Sequence, residues 1–276
     1  MKELDTIIKS YRQKNPKPKN PREYISWWVE KDVIDDEIVD AFVMILRTRG
    51  CAWAQKGGCS MCGYINDAAQ TKVSEEDILY QFSELMRHYN GEKFVKIYTS
   101  GSFFDEEELP KNVQDKILEI TSKKTDKIIV ETRPEFVKKE RLKGRDYLEV
   151  ALGLESASDF VLKNSINKGF TLEDYKKAAG TIKDSGLNVK TYLLIKPPFL
   201  TEMEAIEDAV KSAEIINDFT DTISFNPVNI QRNTLVEKLQ KNAEYRAPWL
   251  WSVVEVLRQS SRFKSGRIIS SPTAGG

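Results

Sequence analysis

No stretch of this sequence approaches about 18 consecutive apolar residues, so no transmembrane helix is expected. The N-terminal MKELDTIIKSYRQKNPKPKN mixes charges and lacks a long apolar core, so it is no secretory signal. A cytoplasmic location with no membrane partner follows as the expectation. Net charge is missing too: 42 Lys and Arg stand against 42 Asp and Glu, so nothing global demands nucleic acid. There is no G-x-G-x-x-G after the first apolar run and no G-x-x-x-x-G-K-[ST] anywhere, which weakens both nucleotide-fold readings. Histidine is nearly absent, with His88 alone, and the only three cysteines fall between Cys51 and Cys62. An odd, close-set number is poor for a disulfide scaffold and points to metal.

What is present reads as a soluble globular chain, 40% hydrophobic and 30% charged over 276 residues. Apolar runs predict buried strands at Ala41–Leu46, Phe94–Tyr98, Ile128–Val130, Leu148–Leu154, Val189–Ile195 and Thr222–Phe225. Helical periodicity fills the gaps, as in Ile78, Phe82, Leu85 and Met86. Ser74, Thr171 and Thr201 stand where N-cap oxygens are wanted, each followed three residues later by Asp77, Asp174 or Glu204. Gly186 marks a helix end. Alternating strands and helices with short connections predict an α/β fold, with parallel strands in an open sheet or part of a (βα) barrel. In either case the chemistry belongs at the C-terminal strand ends.

Residues 1–36 read as an N-terminal accessory segment, with Trp27 and Trp28 packing it onto the barrel. Residues 37–230 carry the strand–helix array, and 231–276 a C-terminal extension with a final helix around Pro248–Gln259. The closing SSPTAGG carries no capping element, so the native chain is expected to be longer. Lys9, Arg12, Lys14, Lys17, Lys19 and Arg22, set among Pro16, Pro18 and Pro21, make the N-terminal arm basic. Arg258, Arg262, Lys264 and Arg267 do the same near the other end. Either patch could touch phosphate, or be a solvated surface.

The cysteines sit in RTRGCAWAQKGGCSMCGY as C-x7-C-x2-C, directly after the first strand. Three thiolates can hold three irons of a cubane and leave the fourth open. Gly57, Gly58 and Gly63 let the backbone pass close to such a cluster. A closed zinc site wants four ligands, and only His88 remains to supply one. A redox CxxC leaves Cys51 unexplained.

Three cysteines after the first strand of a (βα) array resemble the radical S-adenosylmethionine (SAM) superfamily. The usual spacing there is C-x3-C-x2-C. The longer first gap is similar to the branch containing the catalytic subunit of elongator. The resemblance implies a partial (βα)6 TIM-like barrel with N- and C-terminal extensions. It also implies a [4Fe–4S] cluster on Cys51, Cys59 and Cys62, with SAM on the open iron. Further stretches match in order. Thr99, Ser100, Gly101 and Ser102 resemble the glycine-rich segment that receives the SAM amino group. Glu131 and Arg133, in ETRP, could hold ribose hydroxyls and carboxylate, or pair with each other. Glu155 and Ser156, in GLES, face SAM by the same resemblance, and Met61 takes the position that covers adenine. Asn167-Lys168-Gly169-Phe170 and Lys196-Pro197-Pro198 follow where relatives carry similar segments.

RGCAWAQKGGCSMCGY, SGSFFD and ETRPEFV together look like the archaeal radical-SAM family of archaeosine biosynthesis. That resemblance implies a tRNA whose deazaguanine base has received lysine from a partner tRNA lysine-transferring subunit. A carbon–nitrogen bond in the lysine moiety is then cleaved, and an external electron donor is required. Lys196 and Asn226, at strand ends, are candidate pocket residues, with a structural Lys and a loop-holding Asn as the plainer readings. Two alternatives accompany this one. One is a radical-SAM enzyme of the same branch acting on another RNA or a small molecule. The other is a non-catalytic, zinc-stabilised α/β module that binds nucleic acid.

Overall fold

The computed structural model describes residues 2–12, 19–69, 71–263 and 266–270. Lys14, Pro16, Lys17, Pro18, Lys264 and the closing SPTAGG lie outside them. Ten helices and eight strands are described. The helices are α1 (Lys2–Tyr11), α2 (Ala52–Lys56), α3 (Glu75–Leu85), α4 (Lys111–Ser122), α5 (Lys139–Leu142), α6 (Asp159–Val161), α7 (Leu172–Lys183), α8 (Glu202–Ile216), α9 (Leu235–Lys241) and α10 (Leu250–Ser260). The strands are β1 (Ser26–Ile34), β2 (Glu37–Ile45), β3 (Phe94–Tyr98), β4 (Lys127–Thr132), β5 (Leu148–Glu155), β6 (Asn188–Ile195), β7 (Thr222–Pro227) and β8 (Arg267–Ser270).

The strands form one sheet in chain order. β1 and β2 are antiparallel, and every later neighbour is parallel. This curled array is the partial TIM-like barrel the strand–helix alternation predicts. The six apolar runs coincide with β2 to β7. Period-two alternation sends Phe42, Met44, Val95, Ile97, Val130, Val150 and Leu152 outward against the helices, where they form the main core. The opposite faces of the same strands make a small inner cluster of Val39, Ala41, Phe94, Ile129 and Ala151.

The sheet is wider than the apolar runs suggest. β1 and β2 make a hairpin turned by Asp35 and Asp36, whose φ angles are 48° and 65°. Two consecutive residues with positive φ suit a two-residue hairpin turn that follows the strand twist. Both are aspartates rather than Asn-Gly, so the turn signal is weak in the sequence. Trp27 packs as expected, with its ring stacked on His88 at 4.2 Å and tilted against Phe42 at 5.9 Å. Trp28, on the other face of β1, instead donates to Glu30 at 2.7 Å. At the far edge, β8 extends the sheet beside β7. Edges β1 and β8 have no backbone pairing with each other, and Arg267 on β8 forms an ion pair with Asp32 on β1.

The three caps read from the sequence form. Thr171 and Thr201 make complete capping boxes with Asp174 and Glu204, and Ser74 accepts from the Asp77 amide. Gly186 takes φ +77° just after α7. No helix of the described residues is long and apolar enough to cross a membrane.

Candidate functional site

The loop after β2 carries the three thiols to the C-terminal end of the sheet. Cys51 precedes α2, Cys59 is buried, and the Cys62 amide donates to the Cys59 carbonyl at 3.3 Å. Loops with so little regular structure need outside partners for their polar backbone. Here these come from distant parts of the chain. Asn167 Nδ2 donates to the Gly58 carbonyl at 2.8 Å, and Trp53 Nε1 donates back to the Asn167 carbonyl at 2.7 Å. The Ser60 amide donates to the Ile166 carbonyl at 2.9 Å. Leu162–Ile166 is a π-helical turn, a geometry frequent at functional sites, and Asn167 leaves it with φ +60°.

The N-terminal helix closes on the same loop. Arg12 Nη1 donates to the Cys62 carbonyl at 3.0 Å and Nη2 to the Gly57 carbonyl at 3.3 Å. Asp5 accepts from Asn167 at 2.6 Å. Arg12 thus serves the cysteine loop, where the sequence suggested a phosphate contact. Other basic candidates are similarly engaged. Arg22 pairs with Glu76 and Asp77, Arg258 with Glu255 and Arg267 with Asp32. Lys9, Lys19 and Arg262 remain without an ion pair among the described residues. Charged-group hydrogen bonds each contribute about 1.5–3 kcal/mol. Arg12→Ala is therefore expected to speed iron loss to a chelator several-fold. Unchanged iron retention would show that the helix does not steady the loop.

The donor set fits a positively charged cluster. Burial, helped by the nearby Cys59 and Glu108, raises the Cys51 thiol above its ordinary value against the Arg133 guanidinium and the Ala54 amide. Burial, then the neighbouring Cys59 and Cys51, pushes Cys62 up to about 12. The Cys51 and Cys62 thiols, set beside Cys59, ionise readily only when a cation joins them. Gly101 supplies the cradle: a Cβ there would lie 2.6 Å from the Cys51 Cα and 2.9 Å from its nitrogen. Among the described residues, no three Cys, His, Asp or Glu side chains converge on a single metal-ion position. His88 is far in function from the cysteines, held between Trp27 and the Tyr24 hydroxyl. A lone zinc ion therefore lacks its ligands, whereas a cubane takes its thiolates at separate corners.

Around the thiols stand several of the residues picked out from the sequence. The Thr99–Ser102 turn follows β3. The Gly101 amide donates to Thr99 Oγ1 at 3.2 Å, and the Ser102 amide to Glu108 Oε2 at 2.7 Å. Glu108, the last of the acidic residues Asp105–Glu108, is buried and also accepts from Thr48 at 2.5 Å. Burial raises its carboxyl to about 7 against those hydrogen bonds. Glu155 ends β5 at a bulge with φ +74° and meets Lys168 Nζ at 2.9 Å. A bulge re-aims a side chain at a strand end, and a non-glycine residue in this conformation is held there by its surroundings. Lys168 lies in the Asn167–Phe170 segment, and nothing in the sequence alone marks it as the partner of Glu155.

Glu131 and Arg133 do not pair with each other. Arg133 reaches Glu135 at 2.6 Å and the Lys168 carbonyl at 3.1 Å, with Phe170 and Trp53 rings 5.1 and 5.7 Å away. Glu131 faces the barrel interior, where burial raises its carboxyl against a hydrogen bond from Tyr192. Met61 is half-buried against the core. Asn226 is half-buried and accepts from Ser224 at 3.2 Å.

Two residues point elsewhere. Ser156 donates to Asp208 on α8 at 2.8 Å. Lys196 pairs with Glu202 at 2.9 Å and donates to the Arg246 carbonyl at 3.0 Å, the structural alternative for that lysine. Burial raises Asp208 from 3.8 to about 6 against the Ser156 bond. The folded chain then keeps a proton that the unfolded chain has lost between those values. Its stability contribution falls as pH rises through that window and is flat above it. Asp208→Asn should abolish this slope and stabilise the chain above pH 6 by about 1–2 kcal/mol, after discounting for partial exposure. Parallel melting curves of the two proteins between pH 4 and 7 would contradict it.

A family model described as the radical SAM superfamily matches residues 45–213. Archaeosine synthase subunit beta of Methanosarcina acetivorans is 41% identical over 271 residues, covering 93% of this chain and 78% of the relative. The protein of the same name from Thermococcus kodakarensis is 39% identical, covering 91% and 82%. Among solved structures, a radical SAM methyltransferase from Sphaerobacter thermophilus is similar in fold, with a TM-score of 0.61 at 12% identity, covering 89% of this chain and 69% of that one. The archaeal Methanocaldococcus infernus Elp3 has a TM-score of 0.54 at 17% identity, covering 83% of this chain and 56% of that one. With its thiol loop at the mouth of a partial barrel, the chain belongs to the radical SAM superfamily and, within it, to the family of archaeosine synthase subunit beta.

Proposed function

We propose that this chain is the radical-SAM subunit of archaeosine formation in tRNA, acting in the cytoplasm after a partner subunit has attached lysine to a deazaguanine base. The observation that carries the reading is 39–41% identity to archaeosine synthase subunit beta across more than nine-tenths of the chain. The reaction proposed is cleavage of a carbon–nitrogen bond of the lysine moiety, leaving the formamidine group.

When bound, a [4Fe–4S] cluster and SAM would supply one-electron reduction and hydrogen-atom abstraction. Cys51, Cys59 and Cys62 would hold the cluster. The Thr99–Ser102 turn offers backbone groups to the SAM amino end, with Glu108 bracing that turn from behind. Arg133 supplies positive charge beside the thiols, and Met61 an apolar cover. The Glu155–Lys168 pair stands where ribose hydroxyls could replace part of its mutual hydrogen bonding. Ser156 acts through Asp208, and Lys196 through Glu202, so both shape the rim and do not touch the reacting groups. We retain the division into 1–36, 37–230 and 231–276 as a proposal for how the chain is organised, with β1 and β8 joined to the central sheet from the flanking segments.

The deciding assay is anaerobic, with reconstituted protein, SAM, an external reductant and tRNA bearing the lysine adduct. Archaeosine is the expected product. Formation of 5′-deoxyadenosine with the tRNA unchanged would remove the substrate assignment and leave the class.

A further inference from the structure

The inner face of the sheet is charged, and its pairing is incomplete. Lys96 donates to Glu30 at 2.5 Å and also pairs with Asp32, which in turn takes Arg267. Lys127 pairs with Glu149. Two groups are left over. Lys190 is 7% exposed and makes no hydrogen bond or ion pair among the described residues; its Nζ lies 5.5 Å from the Tyr192 ring centroid. Glu131 has the Tyr192 hydroxyl as a partner and no cation within ion-pair distance among the described residues.

Register places these two groups in one row. Glu131 on β4 is opposite Ala151 on β5, and Ala151 is opposite Lys190 on β6. Two strand spacings separate them, roughly 9–10 Å between backbones. The residue between is an alanine, so a carboxylate and an ammonium flank a bay with a methyl floor. The Tyr98 and Tyr192 hydroxyls come within 3.5 Å of each other beside it. Leaving a buried ammonium unpaired is costly unless something pairs it, and the half-buried Glu131 carboxylate has only a hydroxyl beside it. Glu131 is the last but one residue of β4, so its end of the row lies toward the C-terminal strand ends, where the cysteine loop sits.

We propose that this row seats a zwitterionic amino-acid group of the substrate, its carboxylate on Lys190 and its ammonium on Glu131. The inference rests on the function proposed above: a lysine joined to a base through one nitrogen keeps one carboxylate and one ammonium. It assigns Glu131 to the substrate and not to the ribose of SAM. The charges then act as a ruler, fixing how far the lysine chain enters and which of its carbons faces the cysteine end.

The test compares tRNA carrying the lysine adduct with tRNA carrying the cadaverine adduct, which lacks only the carboxylate. Wild type should prefer the lysine adduct in kcat/KM by at least about tenfold, because the cadaverine adduct leaves Lys190 unpaired. Lys190→Met should bring that preference close to unity, while Lys190→Arg keeps it. Iron content and SAM affinity should be unchanged in both variants. Equal use of the two adducts by wild type, or an undiminished preference in Lys190→Met, overturns the assignment. If Lys190→Met fails to load iron, the wild-type ratio decides alone. If wild type cleaves SAM yet alters neither tRNA, the proposed function fails first and takes this inference with it.

Discussion

Cys59→Ala is expected to abolish SAM cleavage. Cys59 is the most buried of the three thiols, set between Gly58 and Ser60, and the Cys62 amide donates to its carbonyl. Losing a mere outer partner of a metal ligand typically costs 10–100-fold in affinity or activity. Losing a ligand itself should exceed about a hundredfold. The measurement is 5′-deoxyadenosine formed per chain after anaerobic reconstitution, with iron content alongside. A variant that keeps about four irons and cleaves SAM normally would remove Cys59 from the ligand set.

Gly101→Ala should be nearly as damaging without touching a ligand. The added methyl would stand 2.6 Å from the Cys51 Cα and 2.9 Å from its nitrogen, and it would also collide with the Glu108 carboxylate. Those Cys51 atoms are backbone and cannot swing away. Either the Thr99–Ser102 turn or the cysteine loop must move. Overpacking of this kind typically costs 1–3 kcal/mol, and displacement by even about 1 Å can cost 10²-fold in a reaction that depends on geometry. The expected result is about tenfold weaker SAM binding or more, measured by equilibrium binding to loaded protein, with a modest loss of melting temperature. Gly144→Ala serves as the control. A Cβ there meets nothing within 4 Å, although its φ of +73° still adds backbone strain. Equal SAM affinity in Gly101→Ala and wild type would mean that the two segments are not packed as described.

The legible parts of this protein are those written in local pattern. The six apolar runs reported β2 to β7 because strands buried on both faces are largely apolar, even where Lys96, Glu149 and Lys190 interrupt them. Thr171 and Thr201 reported helix starts because a cap and its partner lie three residues apart. The cysteine spacing reported the metal loop. β1 was missed because SWWVEKDVI carries Glu30 and Asp32 where an inner face is expected to be apolar, and their partner Lys96 is on another strand. β8 was missed because four residues give too short a period to read. Ser156 was placed at the cofactor by resemblance and Lys196 named as a candidate pocket residue beside its structural reading; each turns to an acid on α8 at hydrogen-bond distance. Glu108 was hidden in a run of acids, of which its carboxylate takes the Ser102 amide of the Thr99–Ser102 turn.

By itself the sequence determined that three thiols would follow the first long strand of a parallel α/β array, since spacing and periodicity act within a few residues. Tertiary structure alone decided which charges find partners: Arg12 on the cysteine loop, Arg267 across to Asp32, and Lys190 and Glu131 left facing each other over Ala151. Those pairings join residues far apart in the chain. They depend on strand register and on the curl that brings two sheet edges together, and neither quantity is expressed in the local order of residue types.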